Sequence, residues 1–156
     1  MRRNLILSAL LAILLGTLLM PAHADAKKKT SEPVEVAKRA MIINITAGPA
    51  DIQKVSMGLG LAAHGLGDGR EVTIFLNVQA PIIASKGFSP SVGYIQDMPV
   101  KAALEKLIAD GATVLVCPHC LEVAGLSEAD LIEGVALASR ESLFGSMDAG
   151  AAVFSY

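Results

Sequence analysis

Five short apolar runs, spaced by segments that read as helices or loops, constrain this chain more than any other feature. They are Met41-Ile42-Ile43-Asn44-Ile45-Thr46, Glu71-Val72-Thr73-Ile74-Phe75-Leu76-Asn77, Ala112-Thr113-Val114-Leu115-Val116, Val135-Ala136-Leu137-Ala138 and Ala151-Ala152-Val153-Phe154-Ser155-Tyr156. The first three are rich in β-branched residues and nearly continuous in apolar character, the pattern of parallel strands covered on both faces. Asp51 to about His64 places Val55, Leu59 and Ala62 at helical spacing. Gly58 and Gly60 weaken that helix or let it approach a sheet, and the glycines from Gly65 to Gly69 end it. Pro99 to Asp110 is the clearest helix, with Val100, Ala103, Leu104, Leu107 and Ile108 on one face and Gly111 as the stop. Ser127 and Asp130 resemble a capping box opening a short helix that takes in Leu131 and Ile132, and Gly134 ends it. Ser139 caps a last helix from Arg140 to about Met147. Val78 to Met98 has no clear period beyond a short helix near Pro81 to Ser85. The order predicts a three-layer α/β/α domain on a mainly parallel five-stranded sheet, its crossovers right-handed.

Mean hydropathy is +0.53 and 53% of the 156 residues are hydrophobic, and the N-terminus explains part of that. Met1-Arg2-Arg3-Asn4 is a positive lead, Leu5 to Met20 an apolar run of 16 residues, and Ala22-His23-Ala24 a signal-peptidase pattern. The run is short of the roughly 20 residues that span a bilayer. These features predict a signal peptide over 1–24, cut after Ala24, and export to the periplasm with no stable membrane anchor left. Residues 25–39 read as a polar tether and 40–156 as the domain. Cleavage leaves 132 residues and, with Arg2 and Arg3 gone, 11 basic side chains against 15 acidic ones. That mild acidity, with few aromatics and no basic patch, argues against nucleic acid as a partner.

The third run leads directly into Cys117-Pro118-His119-Cys120, which holds both cysteines of the protein. Ligands of open α/β sheets bind outside the carboxyl ends of strands. Two lone cysteines cannot frame a disulfide-rich fold, and 132 residues do not need one. The pair therefore reads as a local redox, sulfur or metal device. In thiol–disulfide exchange one thiolate attacks and a second resolves. Cys117 is the candidate attacking thiol, favoured by a helix N-terminus, and Cys120 the resolving one. His119 can shuttle a proton near neutral pH, and Pro118 stiffens the turn. Other readings of the same residues are inert buried thiols, a zinc site completed by His119 and His64, and a Cu(I) site on two thiolates. No dinucleotide or phosphate loop and no Gly-x-Ser-x-Gly elbow occurs, so no cofactor is expected.

The tetrapeptide also occurs in thioredoxin-fold oxidants, but there it lies near the start of a domain. Here 36 residues follow Cys120, none of them proline. The strands Met41 to Thr46 and Val72 to Asn77 and the helix Met98 to Gly111 together resemble the DsrE/DsrF-like family, which has the YchN-like fold. So do Val114 to Cys120 and Gly125-Leu126-Ser127-Glu128-Ala129-Asp130-Leu131-Ile132-Glu133-Gly134. Val-Cys-Pro-x-Cys followed by Gly-Leu-x-x-x-Asp-Leu is similar to the subgroup labelled predicted peroxiredoxins. The resemblance implies sulfur carried as a cysteine persulfide at Cys117, a protein or small thiol partner, and a homo-oligomer, a trimer or hexamer. The second cysteine and the export signal depart from the cytoplasmic sulfur-relay members.

Overall fold

The structure, a computed structural model, describes residues 38–89, 94–95, 98–148 and 150–156. The expected signal peptide, and the tether up to residue 37, lie outside the described residues. The five apolar runs form the five strands of one all-parallel sheet: β1 (Met41–Ile45), β2 (Val72–Leu76), β5 (Thr113–Val116), β6 (Val135–Leu137) and β7 (Ala152–Ser155). Their spatial order is β6-β5-β2-β1-β7, so the first strand is central and the last lies beside it.

One face of the sheet is the main core. Met41, Ile43 and Ile45 of β1 point to it, as do Val72, Ile74 and Leu76 of β2 and Val114 and Val116 of β5. Side chains alternate across a strand, so Ile42, Asn44, Thr73, Phe75 and Leu115 belong to the opposite face. Two helices cover the first face. α1 (Ile52–Gly67) buries Val55, Leu59 and Ala62, and α2 (Val100–Ala109) buries Val100, Ala103, Leu104 and Leu107. The Asp51 side chain accepts from the Lys54 backbone N–H at 3.4 Å and caps α1.

The helix α1 runs one turn past its expected end at His64. Gly65 is a contact residue rather than a stop: a Cβ there would lie 2.8 Å from Met41 Sδ and 3.0 Å from Val72 Cγ2. Gly58 likewise lies against Ile45, whereas Gly60 faces open space. The actual stop is Gly69, at φ 73°.

Two further differences have local causes. The Ser127–Asp130 capping box forms, but it closes only the single 3-10 turn Glu128–Asp130. Leu131 is then extended, bridges Ser85 in antiparallel sense, and enters the core with Ile132. Core burial outweighs continuation of the helix. The α-helix of this region instead follows Cys117 directly, as α3 (Pro118–Val123). Between β2 and α2, Ala80–Ala84 forms a 3-10 turn, and β3 (Tyr94–Ile95) pairs antiparallel with β4 (Met98–Pro99). That small hairpin has no counterpart in the sequence pattern.

The link from β6 to β7 passes from one edge of the sheet to the other. The right-handed rule carries it over the face opposite α1 and α2. It contains α4 (Arg140–Phe144), capped by Ser139, and a 3-10 turn at Gly145–Met147. This layer is thinner than the first. Ile42 and Leu115 are buried on their face, yet Phe144 and Val153 stay 52% and 54% exposed.

Candidate functional site

Cys117 takes its place from the sheet. Its N–H donates to the Leu76 carbonyl at 2.9 Å, extending the β2–β5 ladder by one step. The chain then turns at once into α3, whose N-cap is Cys117. Pro118 fills the first helical position, where a missing N–H costs nothing, and Leu121 N–H closes the turn on the Cys117 carbonyl at 3.0 Å. α3 has six residues, and the Cys117 side chain makes no capping hydrogen bond. The dipole available to Cys117 is thus that of a short helix.

The turn brings Cys117 and Cys120 together as free thiols, both partly buried. Burial pushes the Cys120 thiol above its ordinary value. The adjacent Cys117 thiol acts in the same direction, and the Val78 backbone N–H opposes both by favouring the thiolate. Pro118 and His119 are exposed on the outside of the turn. His64 is not part of this site. It lies on the last turns of α1, in a cleft with Met41, Leu61, Asp68, Arg70 and Phe154 at the amino end of β1, whereas Cys117 follows the carboxyl end of β5. The zinc set of Cys117, Cys120, His119 and His64 is therefore not assembled. Among the described residues, no three His, Cys, Asp or Glu side chains stand close enough together to hold a metal ion.

Sequence reasoning missed the groups that the neighbouring strand ends contribute. Asn77 N–H donates to Ile45 O at 3.0 Å and Gln79 N–H to Thr46 O at 3.1 Å, so the loop after β2 is tied to the end of β1. Between them Val78 sits at φ 55°. The Asn77 side-chain amide donates to Asn44, and Asn44 to Ser155, forming a polar row across β2, β1 and β7. Thr46 donates from both its N–H and its hydroxyl to Tyr156 O, each at 2.8 Å. The only sequence signal for these residues was their place just at or beyond the carboxyl ends of apolar runs.

The all-parallel five-stranded sheet with its flanking helices agrees with the fold that the motif resemblance implies. Residues 38–156 match the DsrE/DsrF-like family, and the chain belongs to it. It is 33% identical over 116 residues to an uncharacterized protein of Methanopyrus kandleri, covering 73% of this chain and 88% of that one. With an uncharacterized protein of Methanocaldococcus jannaschii it shares 36% identity over 101 residues, covering 64% and 83% of the two chains. Among solved structures it is similar to the ychN protein from E. coli, with a TM-score of 0.64 and 23% identity over 76% of this chain and all of that one. A protein of unknown function from Methanobacterium thermoautotrophicum gives a TM-score of 0.60 at 15% identity, over the same share of this chain and all of its own. These two likenesses establish the fold.

Proposed function

We propose that this is an exported thiol protein that handles sulfur, with Cys117 as the attacking thiol and Cys120 as the resolving one. The observation that carries this reading is the adjacency of the only two cysteines, as free thiols, at the carboxyl end of β5. Membership of the DsrE/DsrF-like family supports a sulfur-related role. The Cys117 thiolate attacks the outer sulfur of a sulfane donor, forms a new S–S bond and displaces the donor's remaining fragment. Cys117 then holds a persulfide, or with a disulfide donor a mixed disulfide. Attack by Cys120 on Cys117 Sγ forms the Cys117–Cys120 disulfide and expels hydrosulfide or the bound thiol. An external dithiol, oxidised in turn, returns the pair to thiols. The signal-peptide pattern supports a periplasmic setting for this chemistry, and the family resemblance supports a homo-oligomer.

Intact mass spectrometry of protein recovered from the periplasm tests this reading. Loss of residues 1–24 and gain of one sulfur atom after a sulfane donor are the expected results. Unchanged sulfur gain in Cys117→Ser overturns it. A second reading, Cu(I) held by both thiolates, draws on the same soft donor pair. Stoichiometric copper, lost in Cys120→Ala, is its signature.

A further inference from the structure

Cys117 has two neighbours in the sheet ladder, and one of them is polar. Leu76 pairs with Val116, and the bond from Cys117 N–H to Leu76 O carries that register one residue further, to Asn77. On the other side Val116 pairs with Leu137, so the neighbour there is Ala138, which has no polar side chain. Neighbouring strands run about 5 Å apart. Leu76 and Val116 both point into the main core, and side chains alternate across a strand. Cys117 keeps extended backbone, at φ −63° and ψ 117°, so the alternation reaches it. Its thiol and the Asn77 carboxamide therefore belong to the same, opposite face. The bond from Asn77 to Asn44, a residue of that face, gives the Asn77 orientation independently.

The carboxamide is held but not used up. An Asn side chain has two N–H donors and an acceptor oxygen, and the bond to Asn44 takes one donor. Thr46, next along this face, spends its hydroxyl on Tyr156 O. Ser155 lies further off, on β7. Asn44, Thr46, Asn77 and Ser155 are all neutral. Charged side chains approach Cys117 from its own turn, as His119, and from beyond Ala138, as Arg140, and both are exposed.

We propose that Asn77 binds the sulfur cargo: its second side-chain N–H donates to the outer sulfur held on Cys117, with Asn44 fixing the carboxamide in place. The inference rests on the reading of Cys117 as the sulfur carrier. In loading, the Cys117 thiolate attacks the outer, protonated sulfur of a sulfane donor. The new S–S bond forms as the donor's S–S bond breaks, and the donor's fragment leaves with the electron pair. The proton on the transferred sulfur then passes to solvent, and the negative charge stays on the outer sulfur. An N–H aimed there favours this charged form.

The test uses the full chain in a Cys120→Ser background, where Cys117 is the single cysteine. Asn77→Asp keeps the shape of the side chain, and Asn44 can turn its amide to donate to it. The new carboxylate stands beside the thiol. The pH midpoint of Cys117 alkylation by iodoacetamide should rise by about one unit, leaving about tenfold less thiolate below it. An Asn77 that only ties strand ends together would not move that midpoint, so an unchanged midpoint in folded Asn77→Asp overturns the proposal. Asn77→Ala removes the donor. After loading with inorganic polysulfide, the pH midpoint of persulfide alkylation, read by intact mass, should also rise by about one unit over Cys120→Ser alone. A persulfide that ionises as in Cys120→Ser alone overturns the proposal as well. Failure of Cys117 to take up sulfur in Cys120→Ser itself sinks the sulfur-carrier reading. The thiol midpoint of Asn77→Asp needs no loading and separately decides whether Asn77 faces Cys117.

Discussion

The side-chain amide of Asn77 donates to Asn44 Oδ1 at 2.5 Å, and Asn44 passes the chain on to Ser155 Oγ at 3.2 Å. A single row of polar groups thus binds the carboxyl ends of three neighbouring strands. Asn44→Leu leaves the partly buried Asn77 amide without its acceptor. An expected cost of about 1–3 kcal/mol follows from an orphaned donor. The check is a lower urea midpoint with an unchanged slope.

Gly60 and Gly65 lie in the same helix with opposite surroundings. Nothing lies within 4 Å of a Cβ at Gly60, whereas one at Gly65 meets Met41 Sδ and Val72 Cγ2 at 2.8 and 3.0 Å. Gly60→Ala should stabilise by about 0.5–1 kcal/mol through the lower backbone entropy of alanine in the unfolded chain. Gly65→Ala forces core side chains to shift, at a cost of about 1–3 kcal/mol. Thermal melts of the two variants should move in opposite directions from the parent.

Acid should act first on the turn that carries Leu131 into the core. The Ser127 hydroxyl and N–H donate to Asp130 Oδ2 at 2.7 and 2.8 Å and hold that carboxylate below its ordinary value. Its folded value is the lower one, so its contribution is present above about pH 3.9 and is lost as pH falls through the folded value. Hydrogen exchange below pH 4 should therefore quicken at Ser127 and at Lys86, whose N–H donates to Asp130 O, before the sheet strands open. Asp130→Asn should remove this pH step.

Alkali should act at the site. Burial, then the neighbouring Cys117, raises the Cys120 thiol. A group whose folded value is raised contributes stability below its unfolded value, and that contribution is lost as pH rises through the folded one. The stability advantage of the parent over Cys120→Ala should shrink between about pH 8 and 10, the range around a free thiol's value. Denaturant melts across that range give the difference directly.

The sheet was legible because each of its strands is an apolar run long enough to stand out, and α2 because its apolar face repeats with helical period. The Tyr94–Ile95 and Met98–Pro99 pair was not, since two-residue strands carry no alternation. Ser127 and Asp130 gave a true capping signal, but Leu131 follows the core rather than the helix. Gly65 looked like a stop and proved to be a contact, a distinction that depends on Met41 and Val72, 24 and seven positions away. The cysteines could be placed at a strand end from sequence. Val78 could not, because a β-branched residue is a poor sign of left-handed backbone. Its conformation goes with the bonds that tie Asn77 and Gln79 to the end of β1, and Gly48 leaves the room that Gln79 needs.

Among the described residues the last strand pairs only with the first, joining Asn44 to Ser155 across a sequence separation of 111. A chain emerging residue by residue therefore carries β1 with one bare rim until Ala152 to Tyr156 arrive. Closure of so distant a pair is slow by topology. Commitment to the finished sheet is thereby deferred until β7 is made, and Ala152 to Ser155 act as its clasp.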